Sequence, residues 1–384
     1  MQQLIYLDHN ATTPLDEEVR EEMLRWMVED KPSNPSSIHS FGREARCAID
    51  KARASAARLI GARPDEIIFT GGGTEADNLA VLGATAASSL KSRAIVTTAI
   101  EHQAVLNPCR HVGDKGGSVT YISVDSEGVF DLDEGVSHLC EDTSLVSVML
   151  ANNDTGVIQP VAALAEHSRE LGIPFHTDAI QAVGKIRVDV EELNVDLLSF
   201  SGHKIYGPQG VGALYVRKGT RLSPRTFGGR QERSLRPGTE NVGAITGFGK
   251  ACELAETRLA ADAAHMENLR SSFEAAVLER IPGVTINGRG ADRLPNTSNL
   301  SFEGLSGEVL AVNLDLLGVA VSTGSACSSV NNDPSHVLIA MGRTRGQAGS
   351  SVRFSFGRKT TSEDVARSVD IIIRVVESIR KDRS

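Results

Sequence analysis

The chain lacks several features that would assign it at once. Its five cysteines, Cys47, Cys109, Cys140, Cys252 and Cys327, form no C-x-x-C pair. That excludes a zinc ribbon and a thioredoxin-like redox motif. An odd, widely spaced set gives no disulfide framework and fits a reducing cytoplasm. No apolar run approaches the roughly 20 residues needed to span a bilayer. The stretch from Met1 to His9 has neither a basic start nor a long apolar centre, so no secretory signal is expected. Positive charge is in deficit, 40 Lys+Arg against 49 Asp+Glu for a net charge of −9. That balance gives no support to a general nucleic-acid or membrane-surface role. Internal repeats, low-complexity tracts and flexible linkers are also missing.

What is present is 384 residues of ordinary globular composition, 40% hydrophobic and 23% charged. That length suits two to three domains and a substantial core. Through the first two-thirds, short β-rich runs alternate with helical patterns. Strands are predicted at 66–70, 94–98, 119–124, 145–150, 173–177, 195–200 and 211–216, with helices at 74–90 and 161–171 between them. Several of these strands are apolar without alternation, as strands covered on both faces are. The class is therefore α/β with a mostly parallel sheet. The last third reads as a smaller α+β unit. A long helix is predicted over 245–280, stopped by Pro282-Gly283. Strands follow at 284–287, 299–302, 318–322 and 351–356, and helices at 307–317 and 362–381. The boundaries expected are a large domain over 15–245 and a small one from 1–14 plus 246–384, with the N-terminus up to about Lys31 packing beside the latter.

Three segments carry candidate chemistry. In Thr70-Gly71-Gly72-Gly73-Thr74-Glu75-Ala76-Asp77-Asn78, a Gly-rich turn between strand and helix offers backbone N–H groups to a phosphate. Thr74 is the expected N-cap, with Asp77 at the capping-box offset. The spacing matches neither G-x-G-x-x-G nor a P-loop, so a plain capped turn explains it equally well. In Phe175-His176-Thr177-Asp178-Ala179-Ile180-Gln181, Asp178 and Gln181 follow an apolar strand, at the edge where open α/β sheets place ligands. Alone, Asp178 reads as a helix cap. In Ser201-Gly202-His203-Lys204, a lysine follows another apolar strand; drawn partly out of water it would become a nucleophile and proton carrier. Alone, it reads as a solvated loop lysine. Together, a phosphate cradle, an acid for a pyridine nitrogen and an amine are the protein parts that pyridoxal phosphate requires.

These segments belong to a larger set: Tyr6–Pro14, Asn34–His39, Gly71–Asn78, Glu101-His102, Asn152–Gly156, Thr177–Gln181, Ser201–Lys204, Arg236–Asn241, Ser322–Ser328 and Arg353–Gly357. As a set it resembles the cysteine desulfurases, the NifS/IscS-like members of the class V aminotransferases, over almost the whole chain. The resemblance implies a fold-type I pyridoxal-phosphate enzyme with a seven-stranded large sheet. It implies that Lys204 is the Schiff-base lysine and that Asp178 faces the pyridinium nitrogen. Gln181 and Asn153 are placed near the ring's phenolic oxygen, with Asn152 as the neighbouring alternative. His102 is placed on the ring face as a stacking and proton-transfer group. Gly73, Thr74, Ser201 and His203 are assigned to the phosphate, and Thr239 to the phosphate of a neighbouring subunit, which implies a homodimer. Arg353, with Asn153, is assigned to the substrate carboxylate, a task suited to a guanidinium fork. No metal is implied.

Of the cysteines, Cys327 alone matches the position that forms a persulfide, in a run of small residues that suits an exposed thiol. The stretch after it, Val330 to Ser335, resembles the branch with a long catalytic loop. The other four fit small buried residues. The implied activity converts L-cysteine to L-alanine and passes sulfur through Cys327 to an acceptor or scaffold protein. Neither direct nucleic-acid binding nor a membrane is expected. Asp154, Thr155 and Pro237 depart from the usual family residues, which points to a specialised member, DndA-like proteins serving DNA phosphorothioation being one such. Selenocysteine lyase or another class V aminotransferase is the rival enzyme reading, and a non-enzymatic sulfur-transfer scaffold is the rival from another class. Cys327 favours the desulfurase, because transamination needs no thiol.

Overall fold

The computed structural model describes residues 4–27, 34–89, 93–323 and 333–381. Seven strands form the main sheet: β2 (Ile67–Thr70), β3 (Ala94–Thr98), β4 (Ser118–Ile122), β5 (Thr143–Ser147), β6 (Phe175–Asp178), β7 (Leu197–Ser201) and β8 (Gly212–Val216). Their order is β2-β8-β7-β6-β5-β3-β4. Only β8 runs against its neighbours, pairing antiparallel with both β2 and β7. The mostly parallel sheet expected from the apolar runs is therefore present; the 94–98 run coincides with its strand, the 145–150 run ends three residues late, and the others lie within two residues.

Helices cover both faces. α3 (Gly73–Ala87) and α4 (Gln103–Asp114) pack on one side with Ile68, Leu79, Ile95 and Leu214. The larger core lies on the other side, where α2 (Ser40–Leu59), α6 (Val161–Glu170) and the first turns of α7 (Val242–Arg280) bury Ile49, Phe69, Leu164, Phe200 and Phe248. α1 (Glu17–Met27) adds Val19 to this core, and the short α5 (Leu132–Ser137) packs on α6. The N-terminal segment is thus divided. Ile5 and Leu7 join the small unit, while α1 joins the large one.

In the small unit, β10 (Thr297–Phe302) pairs antiparallel with β9 (Val284–Ile286) and β12 (Ser351–Ser355). β1 (Ile5–Tyr6) pairs parallel with β11 (Val319–Ala320). α8 (Gly307–Leu316), α9 (His336–Ala340), α10 (Arg345–Gly349) and α11 (Ser362–Lys381) complete it. Phe273, Phe302, Phe354 and Phe356 centre its core, Phe273 coming from α7. At 39 residues, α7 is about 58 Å long and contributes side chains to both cores. Asn241 caps it, its Oδ1 accepting from Ala244 N at 3.1 Å, and the first turns of the helix are buried. No helix among the described residues is long and apolar enough to cross a membrane.

Two local devices escape pattern reading. Pro108 lies inside α4 and cannot donate to Ala104 O, four residues back. Asn78 Nδ2 supplies that carbonyl instead, at 3.4 Å. The second is a left-handed run at Glu232, Arg233 and Ser234, with φ of 44°, 57° and 64°. Left-handed residues other than glycine cost energy, so the run needs an anchor. Buried Glu232 provides it, bonding Arg53 at 2.6 and 2.8 Å and Phe69 N at 2.8 Å. Arg53 also lies over the Phe69 ring, 4.6 Å from its centroid.

Two cysteines differ from expectation: Cys109 and Cys252 are buried, but Cys47 and Cys140 are exposed. Cys47 points outward because its helix is amphipathic and buries Ala45, Ile49 and Ala52 instead. Cys327 lies outside the described residues. Removing the Glu232 carboxylate strands a guanidinium and a buried amide, so Glu232→Ala is expected to cost about 3–5 kcal/mol. Chemical denaturation checks this, and Arg53→Met added to that variant should recover part of the loss.

Candidate active site

The carboxyl edge of the main sheet gathers most of the residues picked from sequence. Each follows the C-terminal end of a parallel strand: Gly73 and Thr74 after β2, His102 after β3, Asn152 and Asn153 after β5, Asp178 and Gln181 at β6, and Ser201 to Lys204 at β7. Side chains leaving several parallel strands at one edge converge without any long loop.

The turn after β2 enters α3 through Gly72, whose φ of 143° is open to glycine and strained for other residues. Gly73 is needed for a different reason: a Cβ there would lie 2.2 Å from Ile180 Cδ1 and 3.6 Å from Ser201 Cβ. The α3 N-terminus is therefore pressed against the ends of β6 and β7. Thr74 is not its N-cap. Gly72 holds that place and offers no side chain, so the first amides of the helix have no side-chain acceptor. Asp77 makes no capping box either; it is wholly buried, its oxygens 3.6 Å or more from His176 Nε2.

Lys204 sits on the short turn after β7, and its Nζ donates to Ala11 O at 2.8 Å and to Asn10 O. The N-terminal loop is fixed over this turn: Thr13 N and Oγ1 both donate to His203 O, and Thr12 Oγ1 meets His203 Nδ1 at 3.2 Å. Gln181 is drawn into the same knot. Its Nε2 donates to Asn10 O at 3.0 Å, while its Oε1 accepts from Lys185 Nζ at 2.8 Å. Asn10, Ala11 and Lys185 had no assigned role from sequence. Two of them act through backbone carbonyls, which no side-chain pattern can announce.

Asn152 and Asn153 differ in their hydrogen bonding. Asn152 is spent on structure, its Oδ1 accepting from Asp154 N and Thr155 N and its Nδ2 donating to Ile100 O. Asn153 Oδ1 is buried without a partner. Arg353 is buried at 6% exposure; its Nη2 bonds Asp8 Oδ1 at 2.9 Å and its Nη1 bonds Asn153 O at 3.0 Å. Arg353 is thus a buried arginine held between the N-terminal loop and the segment after β5. Asp154 links the sheet to the small unit through Asn299 Nδ2 (2.8 Å) and Ser335 Oγ (2.5 Å). Thr239 is exposed on the segment after Arg236, which is held by Glu75 at 3.0 Å.

Electrostatics distinguish three buried carboxyls. Burial and the charge of Asp178 push Asp77 well up, so it is held protonated. Burial raises Glu101 to about 8, opposed by bonds from Thr98 and Met149 N. Burial raises Asp178 to about 6, while the Ile180 N–H and Lys204 pull it down. Asp178 is thus the one of the three poised to carry charge at neutral pH. His102, which caps α4 through Ala104 N, is lowered to about 4 by burial and then by Lys204. A neutral imidazole can lie on an aromatic ring and exchange a proton. His203 falls to about 4 for the same causes, with Lys185 adding to them.

The arrangement fits the cofactor that the sequence suggested. Ser201 Oγ is buried with no partner beside the uncapped α3 N-terminus, as a phosphate would require. The carboxyl of Asp178, the Nε2 of Gln181, the free Asn153 Oδ1 and the Lys204 amine suit the rest of a phosphorylated pyridine aldehyde. A cleft of about 490 Å³ lined by Thr74, Asn78 and His102 opens beside them.

Glu101 gives a pH test. Its carboxyl is held near 8 when folded and near 4.5 as an ordinary glutamate, so the native state keeps a proton that the unfolded chain releases. The stabilisation is full at low pH and is lost as pH rises through about 8. Glu101→Gln is expected to flatten that part of the fall in melting temperature, measured from about pH 4.5 to 8 on wild type and variant.

Residues 5–367 match the family model described as aminotransferase class-V. A curated relative named cysteine desulfurase IscS, from Dictyoglomus turgidum, is 49% identical over 380 residues, spanning 99% of this chain and 96% of that protein. A solved NifS-like protein superposes with a TM-score of 0.91 at 39% identity, covering 98% of this chain and all of the other. The crystal structure of DndA from Streptomyces lividans gives 0.77 at 37% identity, covering 92% of this chain and 99% of that one. With the lysine edge, the acid and the sheet order already in place, the match over nearly the full length decides the matter: the chain belongs to the class V aminotransferase family.

Proposed function

We propose that this site is that of a pyridoxal-phosphate-dependent cysteine desulfurase, which converts L-cysteine to L-alanine and takes the sulfur onto an enzyme cysteine. The observation that carries the reading is the meeting of Lys204, Asp178, Gln181 and His102 at one sheet edge, beside unpartnered buried Ser201 and Asn153 atoms. The names of the relatives support the same activity.

Lys204, Asp178, Gln181, His102, Asn153, Gly73, Thr74, Ser201 and His203 would hold the cofactor. When bound, it withdraws electrons from the substrate's α-carbon. Asp178 supplies the negative charge that keeps a pyridine nitrogen protonated. Lys204 takes the proton from the α-carbon and carries it onward. Arg353 receives the substrate carboxylate, exchanging Asp8 or sharing its fork. The Cys327 thiolate takes the substrate sulfur: the C–S bond breaks, an S–S bond forms, and protonation of the carbon leaves alanine. The persulfide then passes to an acceptor protein.

The chain acts in this reading as a cytoplasmic homodimer, with Thr239 reaching the partner's phosphate site. The exposure of Thr239 supports that placement. The reading of two domains, 15–245 and 1–14 plus 246–384, is supported by two separate hydrophobic cores, with Phe248 to Ala255 of α7 lying in the larger one, past that boundary. Net charge of −9 favours sulfur delivery by protein-to-protein relay, into iron–sulfur clusters, thiolated tRNA or DNA phosphorothioate.

Cys327→Ala is expected to lose sulfide and alanine production from L-cysteine with reductant while keeping the visible absorbance of the bound cofactor. Full sulfide output from that variant sinks the persulfide role, and turnover of selenocysteine but not cysteine by wild type favours a lyase. Mixing Lys204→Ala with Thr239→Ala chains tests the shared site: heterodimers should regain part of the activity that both parents lack.

A further inference from the structure

Lys185 is buried at 4% exposure and has no carboxylate partner among the described residues. Its Nζ donates to Gln181 O at 2.9 Å and to Gln181 Oε1 at 2.8 Å. The charged groups that bear on it are themselves cationic, Lys204 and Arg353, and burial lowers it well below an ordinary lysine. A buried amine without a counter-ion is costly, and its retention calls for a compensating task.

The hydrogen bonds name the task. An amide side chain can be turned end for end, exchanging its donor and acceptor at little cost in shape. Lys185 is donor-only in its protonated form and here meets the carbonyl oxygen of Gln181, which commits the Gln181 NH₂ to the other side. That NH₂ donates to Asn10 O, the carbonyl that also holds Lys204 Nζ. We propose that Lys185 is a positioning residue: through the Gln181 side chain and the Asn10 carbonyl it fixes which end of the amide faces the cofactor side and where the Lys204 amine rests. The inference rests on the desulfurase reading above and extends it to a residue that touches neither substrate nor cofactor.

The test uses purified holoenzyme of wild type, Lys185→Met and Gln181→Glu. Methionine keeps much of the lysine's length and removes the donor. Glutamate still accepts from Lys185 but, ionised, cannot donate to Asn10 O. Both variants are expected to lose visible circular dichroism of the lysine-bound chromophore at unchanged cofactor content, because the chromophore is no longer held in one orientation. Both should lose roughly ten- to a hundredfold in kcat with little change in KM. A merely structural Lys185 would lower the melting temperature and leave the dichroism and kcat of the folded holoenzyme at wild-type values, and that result overturns the proposal. It is equally overturned by wild-type dichroism and kcat in Gln181→Glu, which decides the matter even where Lys185→Met does not fold. A lysine-bound visible band that survives unchanged in Lys204→Ala defeats the cofactor reading itself, an outcome separate from both.

Discussion

The hold of the N-terminal loop on the Lys204 turn is the contact on which the rest of the site depends. Asn10 is the common point. Its carbonyl receives Lys204 and Gln181, its amide nitrogen reaches Ser355 Oγ, and its side chain bonds Thr297 Oγ1 and Asn296 Nδ2. Ser355 and Thr297 belong to β12 and β10 of the small unit, and Lys204 belongs to the edge of the main sheet. One buried asparagine therefore binds both cores to the reacting amine. Because its polar atoms are nearly all satisfied, displacing it would strand several buried partners at once, each costing about 1–3 kcal/mol.

Charge at the same edge is arranged by contrast. Beneath it lie three carboxyls out of water, and desolvation alone would protonate them all. Two are pushed up, Asp77 well above an ordinary carboxyl by burial and the charge of Asp178, and Glu101 to about 8 by burial. Asp178 differs because a backbone N–H and the Lys204 charge favour its ionised form. His176 next to them is lowered to about 3 by burial and is occupied by Ser147 and Ser199, so it adds no compensating charge. Of the three carboxyls, Asp178 is thus the one favoured as an anion, while Arg353 is paired with Asp8 and Lys185 with the oxygens of Gln181.

Much of this was legible because parallel strands advertise themselves. The β7 run is largely apolar before it breaks into Ser201–Lys204, and the run at 173–177 opens apolar and turns polar at His176 and Thr177 ahead of Asp178, so the edge is legible from the sequence. The resemblance then gave each polar residue a role. What stayed hidden falls under two physical headings. Backbone carbonyls such as those of Asn10 and Ala11 carry no sequence signal. Tertiary context reversed local rules at Gly72, which took the N-cap from Thr74, and at Pro108, whose missing bond is supplied by Asn78 from another helix. The left-handed run at Glu232–Ser234 belongs here too, since only a long-range ion pair to Arg53 makes it tolerable.

The thiol assigned to sulfur transfer stands outside the described residues, but its flanks are instructive. On one side Ser322 pairs with Arg353 through two backbone bonds, at 2.7 and 3.2 Å. On the other, Ser335 bonds Asp154, which lies next to Asn153. The two ends of the segment that carries Cys327 are therefore fastened to the residue proposed for the substrate carboxylate and to the neighbour of the residue proposed for the ring oxygen. Asp154 is one of the positions where this chain departs from the usual family residue, and it is also the anchor of one flank through a buried side-chain pair. A carboxylate one methylene longer would have to repack both Asn299 and Ser335. The departure thus lies where the chain leading to the thiol segment joins the sheet, and not at the lysine edge.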